Sequence, residues 1–330
     1  MSNRNSKILI TGANGFVGAA LARALAARGQ PAACLVRPGA DVSALEGLLY
    51  ERVEGDVTDA ASLARAVQGR EVVYHLAGTR RGATREDFHR VNAEGTRLLC
   101  EALVALGTRP RLVLVGSLGA AGPSRPDQPR VEEDPLQPTE WYGESKAEAE
   151  RIVFGYADRL PVTVLRPPRI VGPGDHENLP LFRLVARGLR LELGGGPRPL
   201  TLVDVEDVVD LLLVLAERDE ALGQAFFVGH PEPLSLERIQ ELAAEALGRR
   251  TRALPVPPAV LLGLATVADG VSRLTGRRLA LNRKFARQLL APAWTCTSDK
   301  AHRLLGFRAT RDPAETLRQT ARWYRAHGWL

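Results

Sequence analysis

The chain has 330 residues, 45% hydrophobic and 25% charged, the balance of a soluble globular protein with room for two domains or one α/β unit with an appended lobe. Its three cysteines, Cys34, Cys100 and Cys296, are far apart with no CxxC spacing, so a reducing compartment is expected and a metal site is not. The net charge of +6 reads as an arginine-rich solvated surface: no basic run is interleaved with aromatics, which argues against nucleic acid, and no stretch of about 20 apolar residues could span a membrane. Met1 leads into a short polar segment, Ser2 to Ser6, and not into a signal peptide, so the expected location is the cytoplasm.

In chain order, Lys7 to Thr11 is an apolar run stopped by glycine, a buried-strand signal, and Phe16 to Arg28 has helical spacing with Val17, Leu21 and Leu25 on one face. Further strands are predicted at Ala32–Val36, Arg52–Glu54, Glu71–Leu76, Arg111–Val115 and Val162–Leu165, with helices at Ser62–Val67, Glu86–Leu106 and Tyr142–Arg159. This alternation predicts a doubly wound α/β fold, a parallel sheet with helices on both faces. After Arg166, Pro167-Pro168 and Gly172-Pro173-Gly174 mark loops. Helices are predicted at 179–189, 204–217, Leu234–Leu247 and Asp312–His327, a strand at Ala225–Val228, and a helical region opened by Pro255, Pro257 and Pro258 that runs to about Leu290. Residues 1–174, with a returning segment 201–230, are expected to form a Rossmann-type dinucleotide-binding domain. Residues 175–200 and 231–330 are expected to form a smaller, mostly helical substrate lobe.

Gly12, Gly15 and Gly18 follow the first strand and open the first helix, with Asn14 in the same loop. Glycines there let backbone approach a pyrophosphate, and the helix N-terminus offers N–H donors and the positive end of its dipole. The spacing is GxxGxxG; a ligand-free tight turn is the bland alternative, and the strand–loop–helix context favours the phosphate reading. At the tip of the second strand an acid would bind the ribose of NAD, whereas an arginine suits the 2′-phosphate of NADP. The residue there is Arg37, with Asp41 farther on, so NADP(H) is favoured over NAD(H). Asp56 either accepts from the adenine amino group or caps the next turn, with Asp59 beginning the helix. His75 reads as a packed structural histidine, and Ala77-Gly78 after it would let backbone pass close to a dinucleotide.

Ser117 follows the fifth strand, at a carboxyl end where open α/β sheets bind ligands. Tyr142 and Lys146 are four apart on a predicted helix and share a face. An ammonium beside a phenol favours the phenolate, which suits Tyr142 to exchange a proton with a carbonyl/alcohol pair while Ser117 holds the reacting oxygen. A surface helix pair is the bland alternative, and the glycine loop and Ser117 weigh against it.

These segments resemble the extended short-chain dehydrogenase/reductase family nearly end to end. TGANGFVG (11–18), GDVTD (55–59), HLAG (75–78), VNAEGT (91–96), VGS (115–117), YGESK (142–146), LRPPRIVGPGD (165–175) and LVDVEDVV (202–209) occur in the family's order. The resemblance implies that Phe16 and Val17 donate backbone N–H groups to the pyrophosphate, and that Asp56 and Val57 hold adenine. It implies that Lys146 binds the nicotinamide ribose and tunes Tyr142, and that backbone around Pro167 and Ile170 contacts the carboxamide. Asn92 is taken as structural or as a distant cofactor contact.

Two departures bear on substrate. Nucleotide-sugar members usually have Asn where this chain has Arg169, and an arginine where it has Leu200, with Arg198 two residues off. The apolar stretch Leu254–Leu290 and Arg37 make the chain more similar to the 3β-hydroxysteroid dehydrogenase and dihydroflavonol reductase branch. The expected activity is therefore interconversion of a ketone and a secondary alcohol on a hydrophobic small molecule. A nucleotide-sugar epimerase, dehydratase or reductase with bound NAD is the runner-up, and a cofactor-binding redox sensor the third reading. Val256–Ala268 reads first as an apolar pocket wall, then as core, then as a helix lying on a membrane surface with Arg273, Arg277 and Arg278 at its edge. Analogy with the family adds a homodimer through the helices at 86–106 and 142–159.

Overall fold

The computed structural model describes residues 6–275 and 282–330. The first half runs β1 (Ile8–Thr11), α1 (Phe16–Ala27), β2 (Ala33–Val36), β3 (Glu51–Glu54), α2 (Ala60–Ala66), β4 (Val72–His75), α3 (Arg85–Phe88), α4 (Gly95–Ala105), β5 (Arg111–Val115), α5 (Leu118–Ala121), α6 (Trp141–Gly155) and β6 (Val162–Arg166). The second half runs β7 (Arg169–Val171), α7 (Leu179–Ala186), β8 (Leu189–Leu193), β9 (Pro199–Leu200), β10 (Leu202–Asp204), α8 (Val205–Glu217), β11 (Gln224–Phe227), β12 (Leu234–Ser235), α9 (Leu236–Leu247), β13 (Arg252–Val256), α10 (Pro258–Thr275), α11 (Arg283–Leu289), α12 (Asp299–Leu305) and α13 (Pro313–Ala326).

Seven strands form one sheet in the order β11-β6-β5-β4-β1-β2-β3, every neighbouring pair parallel. Strands covered on both faces are buried at every position, as β2 and β6 are. β2 is apolar throughout, and the two polar residues of β6 are partnered, Thr163 by Ala221 O and Arg166 by Glu150. Leu21 and Leu25 of α1 and Leu211, Leu212 and Leu215 of α8 pack on one face. Leu63 of α2, Leu99 and Leu103 of α4 and Val153 of α6 pack on the other. Each such side chain contributes about 1.5–3 kcal/mol of burial. The strand order reverses between β1 and β4, and that switch point opens a crevice at the carboxyl ends.

Outside the sheet, α7, α9 and α13 share a core of Phe182, Ile239, Leu317 and Tyr324. The structure adds strands that the sequence pattern does not signal. The helix expected over 179–189 stops at Ala186, Gly188 turns with φ +77°, and Leu189–Leu193 becomes β8, paired in parallel with β13. The buried Gln240 side chain serves as a surrogate strand for β8: it accepts from Leu191 N–H at 2.6 Å and donates to Leu191 O at 2.8 Å. β13 is exposed over four of its five residues, so it has no in–out alternation to read. Outside the seven-stranded sheet there are three two-stranded pairs among the described residues, β7–β10, β9–β12 and β8–β13, of which the last two fall in 175–200 and 231–330. The single helix expected over 86–106 is also interrupted: between α3 and α4, His89–Glu94 widen into a π turn.

Candidate active site

The crevice has two halves. In the first, Gly12 takes φ +71°, and a Cβ there would lie 2.7 Å from Ala77 N at the end of β4. A Cβ on Gly18 would lie 2.2 Å from Gly12 O, so only glycine lets α1 start this close to the loop. Gly15 is the N-cap and supplies no side chain to the first turn, which also holds no acid, so the Phe16 and Val17 amides of that turn face a site suited to an anion. Asn14 donates to Asp41 O at 2.9 Å, tying the glycine loop to the loop after β2. Asp41 turns its carboxylate onto Ser43 N–H at 2.9 Å, and those hydrogen bonds hold it below the usual carboxylate range. Arg37 stands exposed at the tip of β2. Asp56 accepts from the Thr58 N–H and hydroxyl, both at 2.8 Å, and Asp59 caps α2. Val57 is buried against Gly95.

The second half joins β4, β5 and β6. Glu140 caps α6 by accepting from Tyr142 N–H at 2.8 Å and Gly143 N–H at 2.7 Å. A Cβ on Gly143 would meet Gly119 O at 2.4 Å, so the first turn of α6 seats directly on α5. Ser117 is the N-cap of α5, its Oγ accepting from Gly119 N–H at 3.0 Å. Leu118 N–H donates to Pro167 O at 2.9 Å, which brings the loop after β6 to the same place. The fold thus gathers Ser117, Tyr142 and Pro167 at the carboxyl ends of β5 and β6. Lys146, one turn on from Tyr142, is buried and donates to Val115 O. Burial pushes its ammonium down to about 8; Glu150 opposes that shift and Arg80 adds to it. Gly78 borders it: a Cβ there would lie 3.1 Å from Asn92 Oδ1 and 3.9 Å from Lys146 Nζ. Ile170 lies on β7, and its carbonyl accepts from Asn178 at 3.1 Å.

A buried polar chain connects the two halves. Thr11 Oγ1 and Thr96 Oγ1 contact the two ring nitrogens of His75 at 2.6 and 3.0 Å. Thr96 donates to Asn92 O, Asn92 Nδ2 donates to Ser145 Oγ at 2.8 Å, and Ser145 donates to Tyr142 O at 2.7 Å. Burial, with Lys146 adding, pushes His75 down to about 3, which keeps the ring neutral. Asn92, which lies within the π turn, also clasps Thr79 through its N–H at 2.7 Å and its carbonyl at 3.0 Å.

Sequence reasoning missed Arg80. Its guanidinium lies 5.1 Å from the Tyr142 ring centroid, although the residue as a whole is exposed. The only signal was a pair of arginines, Arg80 and Arg81, in the loop between β4 and α3. Arg169 donates to Asn178 Oδ1 at 2.5 Å, and Asn178 also donates to the Asp175 carboxylate. Burial raises Asp175, and Arg169 opposes that. Arg198 is engaged in its own turn: its guanidinium donates to Gly194 O at 2.8 Å and Leu193 O at 3.2 Å. Leu200 pairs with Leu234 between β9 and β12.

The glycine cradle and the uncapped first turn of α1 fit a dinucleotide, and comparison with known proteins agrees. The profile of the NAD dependent epimerase/dehydratase family matches residues 8–229. Ceramide reductase of Caulobacter vibrioides is 33% identical over 98% of this chain and 96% of its own length. UDP-glucose 4-epimerase of Vibrio cholerae is 31% identical over 82% of this chain and 85% of its own. The crystal structure of gox2253 superposes with a TM-score of 0.83 at 27% identity, covering 99% of this chain and all (100%) of the other. The chain therefore belongs to the NAD dependent epimerase/dehydratase family, the extended short-chain dehydrogenases/reductases, and is an NAD(P)-dependent enzyme of the oxidoreductase type.

Proposed function

We propose that this enzyme interconverts a ketone and a secondary alcohol on a hydrophobic small molecule, with NADP(H) preferred to NAD(H). The observation that carries the substrate class is that Leu200 stands where nucleotide-sugar members usually carry an arginine, and is paired with Leu234, while Arg198 two residues off is engaged with the carbonyls of its own turn. Similarity to a ceramide reductase supports the same reading. The cofactor preference rests on Arg37, exposed at the tip of β2, and on Asp41, whose carboxylate is turned into its own loop.

In this reading the bound cofactor supplies or takes up the hydride. Tyr142 gives or takes the proton at the reacting oxygen, and Ser117 hydrogen-bonds that oxygen. Lys146, fixed by Val115 O, presents positive charge beneath Tyr142 and a donor to the cofactor ribose. Gly12, Gly15 and Gly18, with the Phe16 and Val17 amides, hold the phosphates; Asp56 and Val57 flank the adenine, and Pro167 and Ile170 the carboxamide.

The test is turnover of long-chain or polycyclic ketones with NADPH and NADH. Tyr142→Phe is expected to lower kcat by about 10²–10⁴ with cofactor affinity nearly unchanged. Arg37→Asp should move the preference toward NADH. If UDP-glucose raises the melting temperature and the ketones do not, the nucleotide-sugar reading replaces this one.

A further inference from the structure

We infer that α10 and α11 form a docking face for an anionic lipid surface, at the mouth of the active site. The apolar residues of α10 divide between two faces. Leu261 and Ala265 are buried against the lobe. Val260, Leu264, Val267 and Val271, spaced four, three and four apart along the opposite face, are 49, 54, 65 and 41% exposed. Phe285 on α11 is 44% exposed, between exposed Arg283 and Arg287, and Leu254 just before α10 is 42% exposed. Six of the nine exposed large apolar side chains among the described residues thus fall within 254–285. The outer face is therefore neither core nor pocket wall, the two readings that the sequence alone favours for Val256–Ala268. Arg277 and Arg278, expected at its edge, lie outside the described residues.

Charge selects the occupant. Residues 251–290 hold seven basic side chains and one acid, Asp269, so this stretch carries a net charge equal to the whole chain's +6 and the remainder is neutral. An apolar helix face set in a basic segment matches an acyl boundary under anionic headgroups. A two-fold pairing of this face with a second copy would set those like charges against each other.

The face is joined to the site. Asp269 of α10 accepts from Arg283 N–H at 3.2 Å, and Lys284 on α11 lies with its ammonium 2.8 Å from the ring centroid of Trp141, the residue before Tyr142. An amphiphile leaving the bilayer at α10 would meet the start of α6 first.

The experiment is co-sedimentation of the full chain with vesicles of phosphatidylcholine alone or with about one-third phosphatidylglycerol, a mixture chosen to match the charge argument. Binding to the anionic vesicles, weakened by salt, is expected, with little to the neutral ones. The double variant Leu264→Asp/Val267→Asp should weaken it at least about tenfold, while cofactor-induced thermal stabilisation stays at the wild-type level and certifies the fold. No binding to either vesicle, or binding that the double variant leaves intact, overturns the proposal. A dimer in wild type that the variant dissociates, without vesicle binding, would assign the face to a second copy instead. The vesicles contain no ketone, so the outcome is independent of the substrate reading.

Discussion

Glycine has opposite meanings in the cofactor cradle and in α10. At Gly12 and Gly18 an added methyl would collide with backbone at 2.7 and 2.2 Å, whereas at Gly263 and Gly270 it would meet nothing within 4 Å. The cradle is a set of close backbone approaches that only one residue type permits, so its sequence is narrowly constrained. The outer lobe is built from side-chain packing and exposed helix, and its sequence is loosely constrained. Disturbing the cradle should therefore remove cofactor binding, and disturbing the lobe should cost stability or substrate recognition while leaving the cofactor bound.

The largest effect expected from this contrast is that of Gly18→Ala. The methyl must displace either the first turn of α1 or the Gly12 carbonyl. A loss of about 3 kcal/mol in stability is expected, with dinucleotide affinity falling more than about tenfold because the first-turn amides move with the helix. Denaturant unfolding and cofactor titration measure the two. Wild-type affinity in this variant would mean that the loop yields freely and is no rigid cradle.

Gln240→Ala is the matching change in the lobe. It removes the partner of both the N–H and the C=O of Leu191 from a buried position. About 2 kcal/mol of stability should be lost, and cofactor affinity should stay within about twofold of wild type, a shift too small to reflect a lost contact. A fall in affinity like that of Gly18→Ala would show that the lobe and cradle move as one and that the contrast is false.

The same contrast explains what the sequence discloses. The glycine loop and Ser117 are legible because each follows a strand end, which announces itself as an apolar run stopped by glycine, and the Tyr142/Lys146 pair because four-residue spacing puts both on one face of a helix. Arg80 is not legible. It lies 5.1 Å from the Tyr142 ring from the loop between β4 and α3, next to Thr79, whose backbone Asn92 clasps from a π turn inside what reads as one unbroken helix. β8 and β13 escape notice because β13 is exposed and unalternating and β8 is completed by a side chain. The exposed face of α10 has the composition of a core helix; only packing tells which of its leucines and valines the lobe covers.

The smallest expected effect falls in the second half of the site and has the opposite sign. Lys146 is buried with its ammonium pushed down from 10.5 to about 8. At about 1.36 kcal/mol per unit, holding that charge costs the folded state about 3 kcal/mol at most. Below pH 8 both folded and unfolded chains carry the proton and the cost is complete. Between about 8 and 10.5 the unfolded chain binds more protons than the folded one, so wild-type stability rises with pH through that window. Lys146→Met removes the charge but also the hydrogen bond to Val115 O, worth about 1 kcal/mol, and leaves that carbonyl short of a donor. The variant should therefore be inactive yet about 1 kcal/mol more stable than wild type at pH 7. The advantage should shrink and then reverse as pH approaches 10, as unfolding midpoints measured without cofactor would record. A variant less stable at pH 7, or a difference that ignores pH, would mean that Lys146 is held without cost.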